Sequence, residues 1–220
     1  MNLTNSLFIS NEDNMDLMSR YPDKYFDLAI VDPPYGIGDF RSSKSQKHYD
    51  KINWNNEIPT QKYFNELNRI SKNRIIWGVN YYGKYVEDVG RIVHDKTGGG
   101  KRNAPSSISD CDIASHSFGV NMKIFHYTSI GNVIGNTIDF KGELRWHPCQ
   151  KPVELYKWIL DRYAKEGDKI LDTHLGSGSI AIACHDYGFE LTACEIDKEY
   201  YDLAIKRIQA HTSQQKLFLI

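Results

Sequence analysis

The sequence has few cysteines, no long apolar run and almost no net charge, and each shortage excludes a class of protein. Its 220 residues include four cysteines without a C-x-x-C pair, so we expect neither a disulfide framework nor a structural zinc site. No apolar segment approaches the ~20 residues of a membrane-spanning helix, and the N-terminal residues lack the pattern of a secretory leader. The formal net charge is −1, so nucleic-acid contacts would have to come from local basic patches. We therefore expect a cytoplasmic protein with no membrane partner and no bound metal.

What the sequence does contain is an alternation of short β-rich runs and amphipathic helical patterns. The predicted strands are 7–10, 27–31, 74–77, 91–94, 169–171 and 191–194, and the predicted helices are 60–70, one that follows Pro152, and 198–210. In the last helix, apolar residues recur at i, i+3, i+4 and i+7. This alternation predicts an α/β fold with a doubly wound, mostly parallel sheet, and the length fits a single domain over 1–220.

Three polar segments interrupt the alternation, at residues 36–51, 96–107 and 128–146. Loops of this length are uncommon in compact domains and often bind ligands. Basic side chains in the first two segments could contact phosphates. The candidate phosphate-binding residues, which would contact DNA if the resemblance described below holds, are Arg41, Lys44, Lys47, Lys101 and Arg102.

The strongest local motif is Asp32-Pro33-Pro34-Tyr35-Gly36, directly after the apolar run 28–31. Two consecutive prolines make a stiff, non-helical turn and remove two N–H donors. The Asp32 carboxylate, the Pro33 carbonyl and the Tyr35 ring suit a flat ligand with an exocyclic amine. Such a ligand can donate two hydrogen bonds while its ring stacks on the tyrosine. Asp32, Pro33 and Tyr35 are the candidate catalytic residues.

A second motif, residues 169–181, reads as a strand, an acidic residue, a glycine turn and a helix. Its glycines let a ligand approach the backbone, and the helix start offers free N–H groups. Glu195, after the strand 191–194, lies where a ribose diol would be held. A nicotinamide nucleotide fits the same glycine pattern. The longer turn and the charge of Asp172, which would repel a pyrophosphate, favour a cationic ligand such as a sulfonium.

A third motif, His147-Pro-Cys149-Gln-Lys151-Pro152, opens a helix just before the glycine strand. Lys151 beside a helix N-terminus is a candidate carboxylate site. Cys149 follows a proline, as nucleophilic cysteines do in cytosine ring-carbon methyltransferases. Because it lies outside the catalytic turn, we predict no catalytic thiol.

In this order the motifs resemble the S-adenosyl-L-methionine-dependent amino-methyltransferases of DNA, and in particular their circularly permuted β group, in which the catalytic half comes first. DPPYG matches the catalytic motif of that family, HPCQKP resembles its HPxQKP, and DTHLGSGS resembles its cofactor loop DPFxGSGT. The resemblance spans roughly residues 7–127 and 146–210. Thr173 and His174 depart from the usual Pro-Phe, which leaves a histidine near the cofactor.

The resemblance implies a Rossmann-like class I methyltransferase fold in permuted order. It divides the chain into a catalytic half (1–127), a short target-recognition segment (128–146) and a cofactor-binding half (147–210). The residues expected to bind S-adenosyl-L-methionine are Asp13, His147, Lys151, Asp172, Gly176, Ser177, Gly178, Glu195 and Ile196.

The implied activity is methylation of adenine N6, on a base flipped out of a specific site in double-stranded DNA, as in restriction–modification. Adenine is favoured over cytosine N4 because Asp rather than Ser opens the catalytic motif. The alternatives are a cytosine-N4 enzyme, the same chemistry on RNA or glutamine amides, a non-catalytic nucleic-acid-binding module and, more remotely, a NAD-dependent oxidoreductase. A homodimer, a restriction endonuclease partner and the recognition sequence stay open.

Overall fold

The computed structural model describes residues 2–4, 6–38, 57–100, 109–129, 133–135, 143–144, 147 and 149–213. The predicted DNA contacts Arg41, Lys44, Lys47, Lys101 and Arg102 lie outside these ranges. The described elements are β1 (Asn2–Thr4), β2 (Leu7–Asn11), α1 (Asn14–Ser19), β3 (Phe26–Val31), α2 (Gln61–Ile70), β4 (Ser71–Trp77), α3 (Val79–Tyr82), β5 (Gly90–Asp95), β6 (Cys111–His116), β7 (Met122–His126), β8 (Val133–Ile134), β9 (Glu143–Leu144), α4 (Val153–Tyr163), β10 (Lys169–Asp172), α5 (Ser179–Tyr187), β11 (Glu190–Glu195) and α6 (Lys198–Thr212). None of these helices is long and apolar enough to cross a membrane.

Nine of the described strands form one sheet in the order β1-β2-β11-β10-β3-β4-β6-β5-β7. Neighbours from β2 to β4 are parallel. Strand β6 runs antiparallel to both β4 and β5, and β7 is parallel to β5. The predicted α/β fold with a mostly parallel sheet is confirmed, and each predicted strand is present, with ends that agree or differ by up to three residues. Strands β10 and β11, late in the chain, lie between the early strands β2 and β3.

Helices cover both faces of the sheet, and β3 shows how the sequence specifies this. Side chains alternate across a strand, and a parallel strand buried on both faces is apolar throughout. Leu28 and Ile30 pack in the cluster that contains α4, α5 and α6. Ala29 and Val31 pack in the cluster that contains α1 and α2. The run is therefore apolar because each face meets its own layer of helices.

The carboxyl ends of the parallel strands meet at one edge of the sheet, where ligands bind in folds of this kind. Asp32 follows β3, Gly78 follows β4, and Asp172 and Glu195 end β10 and β11. Residues about 140 positions apart in sequence are therefore neighbours at this edge. The candidate active site lies here.

Candidate active site

The turn after β3 holds an acid, a phenol and a lysine in mutual contact. The Tyr35 hydroxyl donates to Oδ1 of Asp32 at 2.6 Å. Lys151 Nζ donates to Oδ2 of Asp32 at 2.5 Å and to the Tyr35 hydroxyl at 3.3 Å. The Asp32 side chain is 14% exposed. Because an ionised carboxylate has about four lone-pair sites, Asp32 can still accept hydrogen bonds from a ligand.

Lys151 lies at the candidate catalytic acid, and this differs from the site expected from the sequence. Its side chain is only 5% exposed, and an ammonium so buried needs an anion to offset its desolvation. Burial lowers the pKa of Lys151, but Asp32 and Asp112 outweigh this and raise the pKa above its usual value. The Trp77 ring centroid lies 5.1 Å from Nζ. Asp32 and Tyr35 accept from this ammonium, which has three donors, so the expected contact between Lys151 and a ligand carboxylate stays a prediction.

The Tyr35 ring is held between two features that the sequence analysis did not single out. Its ring stacks on Tyr81 with centroids 4.7 Å apart and planes 15° apart. On another side it contacts Gly78, where a Cβ would overlap the ring. Tyr35 lines the cleft described below whereas Tyr81 does not. Because Tyr81 occupies one face of the Tyr35 ring, a base could stack only on the other face.

The glycine loop between β10 and α5 is tied to the end of β11 through Glu195. The Gly176 N–H donates to Oε2 of Glu195 at 2.8 Å, and the Asp197 N–H donates to Oε1 at 3.0 Å. Gly176 and Gly178 both have positive φ, 51° and 75°, a conformation that glycine adopts without strain. These two hydrogen bonds fix the Glu195 carboxylate in the cleft and leave it lone pairs that can accept hydrogen bonds from a ligand.

Asp172, at the end of β10, is a buried carboxyl group. It accepts a hydrogen bond from the His174 N–H at 3.0 Å, and no described lysine or arginine forms an ion pair with it. Burial raises the pKa of Asp172 to about 8, and the nearby charges of Asp32 and Glu195 add to the rise. The carboxyl is therefore largely protonated at neutral pH in the free protein.

We expect Asp172→Asn to raise the thermal stability by an amount that grows with pH. The pKa of Asp172 rises from 3.8 in the unfolded chain to about 8 in the folded one, so the folded state holds more protons between these values. Stability from this group is complete below pH 3.8 and is lost as the pH rises through about 8. Asparagine has no ionisable group, so its contribution to stability does not change with pH. Thermal melts from pH 4 to 9 measure the difference in Tm.

The exposed Asp161, on α4, offers the control Asp161→Asn, which changes the same charge at the surface. A difference in Tm between Asp172→Asn and the parent that stays constant across the pH range would contradict the prediction.

His174, the departure from the Pro-Phe pattern, belongs to a chain of uncharged polar contacts beside the cleft. Its Nε2 lies 3.2 Å from Asn14 Nδ2, and its Nδ1 lies 2.9 Å from Thr173 Oγ1. Thr173 Oγ1 is also 2.7 Å from the Tyr63 hydroxyl. Burial lowers the pKa of His174 to about 4, so the imidazole is neutral near pH 7. Histidine at position 174, where the family pattern has phenylalanine, thus adds polarity to the cleft without adding charge.

A cleft of about 290 Å³ connects the β3 turn with the glycine loop. Most of the residues expected at the site from the sequence line it, and they come from both halves of the chain. These are Asp32, Pro33, Tyr35, His147, Lys151, Gly176, Ser177, Glu195 and Ile196. The structure thus brings the three sequence motifs together around one cavity.

Three expected cofactor residues, Asp13, Asp172 and Gly178, do not line this cleft. Asp13 instead caps α1, because its Oδ1 accepts the Met15 N–H at 2.7 Å. The next residue, Asn14, lines the cleft in its place. An aspartate directly before a helix is a common N-cap, so this local signal could have been identified in the sequence.

Residues 121–206, from β7 to α6, match the family described as DNA methylase, the N6/N4 methyltransferases. The type II methyltransferase M2.DpnII of Streptococcus pneumoniae is 24% identical over an alignment that covers 94% of this chain and 91% of that protein.

Two solved structures share the fold. The complex of M1.HpyAVI with SAM has a TM-score of 0.56 at 18% identity, over 91% of this chain and 99% of that one. The PvuII DNA methyltransferase, described as cytosine-N4-specific, has a TM-score of 0.60 at 12% identity, over 97% of this chain and 88% of that one. At such identities the likeness shows the class I methyltransferase fold alone.

Proposed function

We propose that this chain, a homologue of type II enzymes in the N6/N4 DNA methyltransferase family, methylates adenine N6 on a base flipped out of double-stranded DNA. The methyl donor is S-adenosyl-L-methionine. The observation that carries the proposal is the turn after β3. Its Asp32 and Pro33 line the same cleft as Glu195 and the glycine loop.

Asp32 and Pro33 act on the target amine. The lone pair of an exocyclic amine is delocalised into its ring, so the nitrogen is a poor nucleophile. When the Asp32 carboxylate and the Pro33 carbonyl accept its two N–H groups, they favour a pyramidal nitrogen and stabilise the positive charge that develops on it. Tyr35 and Lys151, which hold both oxygens of Asp32, fix the carboxylate in place before substrate arrives.

The cleft suits a cationic nucleoside better than a dinucleotide. Asp32 and Glu195 line it, whereas Lys151 is the one lysine or arginine among its described lining residues and is paired with Asp32. The Glu195 carboxylate attracts a sulfonium and repels a pyrophosphate, which disfavours the NAD alternative. When bound, the sulfonium supplies the methyl group. Glu195 can accept a ribose diol, since its backbone contacts leave lone pairs free.

Glu195→Gln is expected to weaken binding of S-adenosylhomocysteine about 10- to 100-fold, because hydrogen bonds to a charged group contribute about 1.5–3 kcal/mol. Titration calorimetry measures the Kd. Glu190→Gln, at the opposite end of β11, is the matched control and should leave Kd unchanged. If the parent, Glu195→Gln and Glu190→Gln bind S-adenosylhomocysteine with equal Kd, Glu195 does not contact the cofactor.

Adenine is preferred over cytosine because the motif opens with Asp32, as the N6-adenine enzymes of this family tend to do. The cytosine-N4 alternative has one specific observation in its favour, the similarity of fold to the PvuII enzyme. Both bases present an exocyclic amine to the same acceptors, so the choice has to be measured.

We also propose the permuted order of the β group, because the catalytic turn precedes the glycine loop in the chain while β3 and β10 are neighbours in the sheet. Residues 128–146 would then select the target. The basic residues of 36–51 and 96–107 would hold phosphates. The cytoplasmic location stays a prediction, and the oligomeric state stays open.

A direct test incubates the protein with methyl-labelled S-adenosyl-L-methionine and a mixed-sequence DNA duplex library, digests the DNA and separates the nucleosides. We expect label in N6-methyldeoxyadenosine. Label in N4-methyldeoxycytidine would overturn only the choice of base, and label found only in a parallel RNA sample would overturn the choice of nucleic acid. No transfer to either, by protein that binds the cofactor, would contradict the proposed function.

A further inference from the structure

The polar chain beside the cleft ends at the side-chain amide of Asn14, the first residue of α1. Asn14 and His174 both line the cleft, and Asn14 Nδ2 lies 3.2 Å from Nε2 of His174. An amide nitrogen can only donate, so Nε2 accepts and the single ring proton lies on Nδ1. Nδ1 then donates to Thr173 Oγ1 at 2.9 Å. The imidazole thereby fixes which end of the Asn14 amide faces it.

The groups of Asn14 that His174 does not use are a donor and an acceptor side by side. A primary amide has two N–H groups and one carbonyl oxygen. One N–H is donated to His174, and within the described part of the chain Oδ1 accepts no hydrogen bond. The second N–H and Oδ1 form one edge of the amide. This is the edge with which asparagine pairs with adenine in DNA, because the base presents an amine donor beside a ring-nitrogen acceptor.

The order of the strands places Asn14 on the far side of Glu195 from Asp32. The strands at this edge follow the order β2, β11, β10, β3; Asn14 follows β2, Glu195 ends β11 and Asp32 follows β3. Asn11 joins the first two strand ends, since its Nδ2 donates to the backbone oxygens of Glu195 and Ile196 at 2.8 and 3.1 Å. In S-adenosyl-L-methionine the ribose lies between the sulfur and the adenine. With the sulfur towards Asp32 and the ribose at Glu195, the adenine lies on the Asn14 side.

Ile196 provides an apolar surface for a flat ring at this end of the cleft. It lines the cleft directly after Glu195 and is 59% exposed, so it offers apolar area that a ligand can cover. A ring that covers Ile196 still has its polar edge to satisfy. Asp13, which was expected among the cofactor residues, caps α1, whereas the amide of Asn14 lines the cleft.

We propose that the Asn14 amide, fixed by His174, recognises the adenine edge of the methyl donor and makes the cleft selective for a base with an exocyclic amine. His174 is a positioning residue, because it holds the amide with Oδ1 available to that amine. This inference rests on the proposed function, since it takes the cleft to be the site of S-adenosyl-L-methionine. It also explains the histidine at position 174, because the phenylalanine of the family pattern has no acceptor for the Asn14 N–H.

S-inosylhomocysteine, which has a carbonyl oxygen in place of the adenine amine, is the probe that isolates recognition of the base. Its oxygen and Oδ1 of Asn14 are both acceptors, with no proton to share. We expect the parent protein to bind S-adenosylhomocysteine about ten-fold more tightly than this analogue in titration calorimetry, because a polar group left unpaired in a site weakens binding.

Asn14→Ala should lower the ratio of the two Kd values to below about three, since neither ligand then meets an amide. Alanine is a good helix former and Asp13 still caps α1, so the fold should be kept. Asn65→Ala, at an exposed asparagine on α2, is the control and should keep the parent ratio.

His174→Phe tests the positioning role. Without the ring acceptor the amide can turn and present its N–H to the carbonyl of the analogue, so the ratio should fall although Asn14 is intact. In the Asn14→Ala background, His174→Phe should have no further effect on the ratio. A parent ratio near one, or a ratio that stays at the parent value in either single variant, would overturn the inference.

These measurements need no methyl transfer, so they fail separately from the proposed function. If the ratio depends on Asn14 but the protein methylates no nucleic acid, the proposed function is refuted and the recognition of adenine stands. If methyl transfer occurs and the ratio does not depend on Asn14, only the present inference is refuted. Binding of neither ligand by the parent protein would overturn both.

Discussion

Asp32→Asn is expected to lower kcat for methyl transfer about 100- to 1000-fold, the usual loss when one preorganised electrostatic contact to a transition state is removed. Asparagine has the shape of aspartate and its Oδ1 can still accept the Tyr35 hydroxyl, which donates at 2.6 Å in the parent. It lacks the negative charge, and its amide nitrogen would face the ammonium of Lys151. The target amine then loses its charged acceptor. A steady-state assay with labelled methyl donor measures kcat.

Binding of the cofactor product separates this effect from a collapse of the site. S-adenosylhomocysteine lacks the sulfonium charge and has no net charge, so its Kd should change less than about three-fold in Asp32→Asn, since an uncharged sulfur gains little from the Asp32 charge. Asp161→Asn, a surface acid on α4, should leave both kcat and Kd unchanged. If Asp32→Asn keeps more than a tenth of the parent kcat, Asp32 does not act on the amine.

Gly78→Ala should have the second large effect, because Gly78 has φ of 80° and a Cβ there would overlap the Tyr35 ring and lie 2.8 Å from the Tyr82 hydroxyl. A left-handed conformation costs a residue with a Cβ about 1–2 kcal/mol. The overlap forces the Tyr35 ring to move, which disturbs its hydrogen bond to Asp32. Because a displacement of about 1 Å can reduce a rate 100-fold, we expect a loss of that order in kcat together with a lower Tm.

Gly83→Ala is the matched control five residues later. Gly83 has φ of −55°, and a Cβ there would meet nothing within 4 Å. Alanine should leave kcat unchanged. It should raise the free energy of unfolding by about 0.4–1 kcal/mol, because it lowers the conformational entropy of the unfolded chain. If Gly78→Ala lowers Tm but keeps the parent kcat, the position of Tyr35 is not important for the reaction.

Local chemistry in the sequence was enough to predict six strands of the nine-stranded sheet and the two loops at the ends of β3 and β10, but it did not predict β1, β6 or β7. The apolar run before Asp32 and the glycines after Asp172 specify their own conformations, and β3 and β10 are found where the pattern predicts them. The two loops meet because β10 and β11 insert between β2 and β3. This arrangement was indicated by the family resemblance and not by the pattern of any one segment.

The contacts between distant residues could not be predicted in this way. The partner of Lys151 is 119 positions away in sequence. This contact has no local signature. Tyr81 and Gly78 lie directly after β4, and their part in holding Tyr35 depends on the neighbouring strand β3. Even if the burial of Lys151 had been known, it would have indicated only that the ammonium needs a nearby anion, and not which residue provides it.

The most direct test is a crystal structure of the protein with S-adenosylhomocysteine bound. We expect the ribose hydroxyls on Glu195, and the sulfur directed across the cleft towards Asp32 and the Pro33 carbonyl. A ligand bound elsewhere, or one whose sulfur points away from Asp32, would contradict the assignment of this cleft to methyl transfer.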